Sequence, residues 1–189
     1  MITIYIRKIQ NISEDEKQNI INLLSTSAKE RLNKKRNESL HLASLCALSL
    51  LNDEQRADLD YTENGNPFFN KLNQDISISH SRNYTAVAIS TSKEEKIGVD
   101  IEDISNITPA TRFLTENEKK VVTDTLKFLE IWTKKEALFK FLKNDSTPFI
   151  HLDSTTPQKY GASFSTVQIN DYVITICKEK PAKIEIIQK

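Results

Sequence analysis

The chain has 189 residues, 38% of them apolar, enough to bury a core without a disulfide or a structural metal. Its 26 basic and 26 acidic residues balance to a net charge of zero, which excludes a global field drawing it onto nucleic acid or an anionic membrane. Cys46 and Cys177 are far apart, each in an apolar-periodic stretch, so they read as buried free thiols of a reducing compartment, the cytoplasm.

In chain order, MITIYIRKIQ alternates Ile2, Ile4 and Ile6 with Thr3, Tyr5 and Arg7. That is the period of a strand and not the continuous apolar core of a signal peptide. No run is long enough to span a bilayer. Residues 11–32 open on Ser13 and Glu16, a capping box, and carry Ile20, Ile21, Leu23 and Leu24 at helical spacing, which predicts one helix. A second, largely buried helix is expected over KRNESLHLASLCALSLL, with Leu40, Ala43, Ala47 and Leu50 on one face. Gly65 and Pro67 then mark a turn. DISISHS and YTAVAIS alternate as two strands, and KIGVDIED is a third, with the polar TSKEE before it reading as a hairpin connection. The stretch TENEKKVVTDTLKFLEIWTKKEALFKFLK is helical with one break near residues 123–125, and SFSTVQI, YVITICK and KIEIIQK return to strands. This order predicts an α+β protein of two similar halves, residues 1–96 and 97–189. With three glycines in the chain the halves are expected to pack directly and not through a tether.

Two stretches carry charges where a generic fold has no use for them. In IGVDIE, Gly98, Asp100 and Glu102 share one strand face, so both carboxylates aim at one spot. That spacing suits Mg²⁺, which takes one or two carboxylates and completes its octahedron with waters and substrate phosphates. A strand with one solvated face has the same pattern. In WTKKEALFKF, Thr133, Glu136 and Lys140 form one helix stripe among Trp132, Leu138, Phe139, Phe141 and Leu142. Glu136 can act as a third ligand or a general base and Lys140 as a phosphate partner; an ordinary surface ion pair is the plainer alternative. Ser79, His80 and Ser81 end a strand where hydroxyls and an imidazole can meet a phosphate. Lys29, Arg31, Lys34, Lys35 and Arg36 form a basic run, either a grip for an anionic ligand or a solvated face.

Together these stretches resemble the 4′-phosphopantetheinyl transferases, specifically their longer, pseudo-dimeric type. Gly98, Asp100 and Glu102 match the family's Gly-x-Asp-x-Glu strand. Trp132, Thr133, Lys135, Glu136, Ala137 and Lys140 match its Trp/Phe-Ser/Thr/Cys-x-Lys-Glu-Ala/Ser-x-x-Lys helix without a gap. The Gly65 to Pro67 turn and Ile-Ser-His-Ser ending at Ser81 fall in family order, so the resemblance covers residues 31–143.

The resemblance implies a pseudo-dimer with coenzyme A in a cleft between the halves, and Mg²⁺, or alternatively Mn²⁺, on Asp100, Glu102 and Glu136. It implies phosphate contacts from Lys140, Ser79 and His80, a 3′-phosphate contact from Arg31, Lys135 among the coenzyme A contacts, and catalysis by Glu136 and Lys140. The reaction implied is transfer of phosphopantetheine to a serine of an apo acyl or peptidyl carrier protein of fatty-acid, polyketide or non-ribosomal peptide synthesis, releasing 3′,5′-ADP. Either Glu136 or a water held by an acid and the metal takes the proton. The carrier is expected to dock on the second half of a monomer, with no nucleic acid or membrane as partner. One departure stands out: the lysine that the family often carries between the glycine and proline is Asn66 here, so either Lys71 or the basic run supplies the compensating charge or coenzyme A is bound more weakly. The connection from Asp100 to Trp132 is also compact. Two rivals are a Mg²⁺-dependent phosphohydrolase or nuclease and a non-catalytic module that binds coenzyme A or a carrier protein. The neutral charge counts against the nuclease, and the intact Asp100, Glu102, Glu136 and Lys140 against the module.

Overall fold

The computed structural model describes residues 1–35, 37–105, 109–143 and 147–189, so Arg36 of the basic run lies outside the described residues. It is mixed α+β with three sheets. The first half runs β1 (Ile2–Lys8), α1 (Glu14–Leu23), α2 (Thr26–Asn33), α3 (Glu38–Ser49), α4 (Asp53–Asp58), the short pair β2 (Leu59–Tyr61) and β3 (Pro67–Phe69), then β4 (Ile76–His80) and β5 (Tyr84–Ser90). The second runs β6 (Ile97–Asp103), α5 (Glu116–Val121), α6 (Thr125–Leu142), β7 (Ser163–Ile169), β8 (Tyr172–Lys178) and β9 (Ile184–Gln188).

Three expectations change. The helix expected over residues 11–32 is two, because Ser25 is extended and its hydroxyl accepts the Ala28 N–H, which starts α2 afresh. Leu40, expected on the buried face of α3 with Ala43, Ala47 and Leu50, is 44% exposed; those three are buried as expected, together with Leu45, Cys46 and Leu48. The polar link before β6 closes no hairpin, since β6 pairs antiparallel with β8 in a different sheet from β5.

The larger sheet has the order β4-β5-β1-β9 and the other β6-β8-β7. In each half an opening strand (β1 or β6) is followed by helices and then a hairpin (β4–β5 or β7–β8), whose second strand pairs antiparallel with the opening one. The C-terminal β9 crosses back to pair in parallel with β1. Alternation makes the two sheets face each other. Ile2, Ile4, Ile6, Ala86 and Ala88 of one meet Ile97, Val99, Ile101, Ile174 and Ile176 of the other. Each fully buried isoleucine contributes about 1.5–3 kcal/mol by leaving water. On the outer side of the first sheet, Val87 and Ile89 pack under α1 to α3. On the outer side of the second, α6 lies over Cys177 through Ala137, Leu138 and Phe141. Among the described residues no helix is long and apolar enough to cross a membrane.

The edges β4 and β6 meet where the sheets join, and they are sewn by side chains and not by a backbone ladder. Asp75 Oδ2 accepts the Ile97 N–H at 3.0 Å, Ser77 Oγ accepts the Val99 N–H at 2.9 Å, and the Ser79 hydroxyl donates to Asp100 Oδ1 at 2.7 Å. Donors on an open edge strand are thereby satisfied without extending the sheet.

Lys135 is anchored in the interior. Its fully buried ammonium donates to Glu118 Oε2 at 2.8 Å and to the Leu152 carbonyl, while Glu118 also accepts the Thr115 and Ser154 N–H groups. The pair ties α6 to the N-terminus of α5 and to the loop after α6. Removing one partner of such a pair strands the other charge. Lys135→Met is therefore expected to cost about 3–5 kcal/mol in urea denaturation. Adding Glu118→Gln should recover part of this loss, because Gln removes the stranded charge and keeps one oxygen for either the Thr115 or the Ser154 N–H, which the two carboxylate oxygens accept separately.

Candidate active site

The site grows from one contact. A Cβ built on Gly98 would stand 2.1 Å from the Ala137 carbonyl oxygen and 2.5 Å from the Phe141 nitrogen. Only glycine lets the α6 backbone rest on β6. With α6 seated there, the outward face of β6 (Asp100, Glu102) opposes the helix stripe that carries Glu136 and Lys140.

Asp100 is 4% exposed, and its Oδ1 accepts both the Ser79 hydroxyl and the Lys140 ammonium, each at 2.7 Å. Lys140 Nζ also donates to Ser79 Oγ at 2.7 Å, closing a triangle across the two halves. Asp100 Oδ2 is buried without a hydrogen-bond partner among the described residues. Glu102 Oε1 accepts the Trp132 indole N–H at 3.2 Å, and Trp132 is held by Phe128, Phe113 and Phe149. Burial, with the charge of Asp100 second, pushes the Glu102 carboxyl up to about 8. The same two causes push Glu136 up to about 7, against the opposing pull of Lys140.

One ammonium thus faces three clustered acids, and the cluster lacks positive charge. Among the described residues no three His, Cys, Asp or Glu side chains stand close enough to form a ready-made ion cage. The unpartnered Asp100 Oδ2 and two carboxyls held near neutral pH nevertheless fit a hard divalent cation of the kind that takes one or two carboxylates and fills its other positions from water and phosphate.

Beside the carboxylates a pocket opens in the first half, lined by Arg31, Lys35, Tyr61, Gly65, Pro67 and His80. The Arg31 guanidinium lies over the Tyr61 ring at 4.8 Å. It also packs against Gly65, whose φ of +86° is a backbone conformation that favours glycine, and a Cβ built there would stand 2.3 Å from Arg31 Nη2, so a side chain would displace the guanidinium. Lys35 donates to Ser44 Oγ, and burial lowers its ammonium, with Arg31 adding to the effect. His80 stands between pocket and carboxylates. Burial first, then Lys35 and Lys140, lower its imidazole and keep it neutral. The Ser81 hydroxyl is a further buried oxygen without a partner among the described residues.

The structure therefore brings Asp100, Glu102, Glu136, Lys140, Ser79 and His80 together, with Arg31 in the adjoining pocket. Lys135, expected among the coenzyme A contacts, is not there: it points away into its buried pair with Glu118. Thr133 is likewise buried, against Thr175 Oγ1 at 2.8 Å. Tyr61, Ser44 and the orienting role of Trp132 went unread in the sequence, where an aromatic or a serine carries no positional signal.

Residues 96–180 match the family model of the 4′-phosphopantetheinyl transferase superfamily. The match runs from β6 through β8 and contains both acids of β6 and the whole of α6; Arg31, Ser79 and His80 lie before it. No curated protein matches the chain.

The raised carboxyls set a pH dependence. A folded-state carboxyl raised to about 7 or 8 holds a proton that the unfolded chain releases near 4.5, so the folded state binds more protons across that window and stability falls as pH rises. In EDTA the melting temperature is expected to drop between about pH 5 and pH 8, with a flatter profile in Glu136→Gln. Added Mg²⁺ should counter the drop mainly at the alkaline end, where the ligands are deprotonated.

Proposed function

We propose that this protein transfers 4′-phosphopantetheine from coenzyme A to a serine of an apo carrier protein. The observation that carries the reading is the convergence of Asp100, Glu102, Glu136 and Lys140 where α6 rests on β6, beside a pocket containing Arg31 and His80. The family match over residues 96–180 supports the same chemistry. In this reading the chain is a pseudo-dimer of halves 1–96 and 97–189 with β9 exchanged, working as a cytoplasmic monomer. The shared connectivity of the two halves supports the pseudo-dimer.

Arg31 and Lys35 would meet the nucleotide phosphates, with Tyr61 beneath the guanidinium and neutral His80 as a further hydrogen-bonding group. Asp100, Glu102 and Glu136 would hold Mg²⁺, which when bound supplies positive charge to the pyrophosphate. Lys140 adds the charge that this chain itself contributes. Its present hold on Asp100 and Ser79 fixes the ammonium in place before substrate arrives. The serine oxygen forms a bond to the β-phosphorus as the pyrophosphate bridge breaks and 3′,5′-ADP leaves. Glu136, beside Lys140 on the same helix face, suits the role of acceptor for the serine proton, directly or through a water. Such transfers ask mainly for positioning and charge neutralisation, which these residues provide.

The test is intact-protein mass spectrometry on a panel of apo carriers incubated with this protein, coenzyme A and Mg²⁺. A phosphopantetheine-sized gain is expected on at least one fatty-acid or secondary-pathway carrier. EDTA should abolish it and Glu136→Gln should slow it about 10²–10⁴-fold. Nucleotide release without an acceptor would assign a phosphohydrolase instead. Binding of coenzyme A with no turnover would assign a binding module.

A further inference from the structure

Asn66 stands in the turn before β3, and its amide reaches the end of α6. Its Nδ2 donates at 2.6 Å to the carbonyl of Lys143, the residue that ends α6. The turn presenting it is closed on itself: the Asn66 N–H donates to Thr62 Oγ1, Thr62 N–H to the Asn66 carbonyl, and Gly65 N–H to the Thr62 carbonyl. Lys143 has φ 52° and ψ −55°, a strained backbone for a residue with a side chain. Such geometry persists where the surroundings over-determine it. Here both ends of Lys143 are held by the first half: its carbonyl by Asn66, and its ammonium by Asp75 Oδ1. The other oxygen of Asp75 takes the Ile97 N–H at the start of β6.

We infer that Asn66 is a positioning residue that clasps the last turn of α6 to the turn of the phosphate pocket. Lys143 lies three residues beyond Lys140, and Gly65, next to Asn66, packs against Arg31. The clasp thus sets the separation between Arg31 on one half and Lys140 and Glu136 on the other, the span a pyrophosphate-containing substrate has to bridge. This role rests on the transferase reading; the clasp itself does not. Its loss leaves the binding groups of the pocket intact but misplaces the reacting ones, so kcat falls while KM for coenzyme A holds.

The experiment compares wild type, Asn66→Leu and Asn66→Gln by hydrogen exchange of the peptide spanning the end of α6 and by steady-state transfer. Asn66→Leu is expected to speed exchange in the last turn of α6, with protection of β5 and β8 unchanged. It should lower kcat by roughly ten- to a hundredfold with KM for coenzyme A within about threefold. Asn66→Gln, which keeps a donor, should recover part of the rate. Unchanged exchange in Asn66→Leu overturns the clasp. Faster exchange with unchanged kcat makes it structural only, and a raised KM at constant kcat makes Asn66 a substrate contact. If the wild type transfers nothing to any carrier, the transferase reading falls and the positioning role with it, while the exchange data still decide whether the clasp exists.

Discussion

The approach of α6 to β6 at Gly98 is the constraint on which the rest depends. Backbone against backbone leaves no room for a methyl group, and the absence of one brings a helix face and a strand face within reach of shared ligands. Every other feature of the site presupposes that contact. Lys140 reaches Asp100 only because the helix lies this low, and Trp132 reaches Glu102 from the same helix about two turns earlier. The buried Lys135–Glu118 pair sits between these two on the sequence of α6 and faces the opposite way, so one helix is gripped from behind while it presents its reactive side.

The seam between the sheets carries the second half of the design. Asp75, Ser77 and Ser79 alternate along β4 and its approach, and each gives a side-chain oxygen to β6. Two of these oxygens accept backbone N–H groups, and the third donates its proton to Asp100. The last stitch of a structural seam is thus the first hydrogen bond of the site. Desolvation at this junction keeps Glu102 and Glu136 protonated to unusually high pH, while Asp100 Oδ2 stays buried without a hydrogen-bond partner among the described residues.

Much of this was legible in the sequence because it follows a period. The alternation of Ile2, Ile4 and Ile6, the strands from residue 76 to 103, and the break in the helix before residue 125 all appear as read. The acids of β6 and the stripe of α6 were legible because charge in an otherwise apolar run is rare without purpose. What was not legible depends on tertiary contact. Ser25 looked like one more polar residue of a helix until its hydroxyl capped a new one. The polar positions of DISIS have the look of a solvated face and are a buried seam. Lys135 has the same letter as Lys140 and the same helix, yet their directions differ by about 140° around the axis, and only the packing of α5 decides which one is interior. Asn66 signals nothing by type, since the carbonyl it serves lies 77 residues further on.

The return of β9 to the side of β1 has a consequence for how the molecule is made. Ile2 pairs with Ile184 and Ile6 with Gln188, so the sheet of the first half is closed by a strand that follows the whole of the second. Contacts of such long sequence separation require a large loop to be closed before they return any stabilisation. Until β9 arrives, β1 has an unpaired edge, and the first half cannot reach its final form as an independent unit on a growing chain. The two halves are therefore bound to a common folding transition, and a nascent first half is an aggregation-exposed species whose protection comes from a strand synthesised only after β6 to β8.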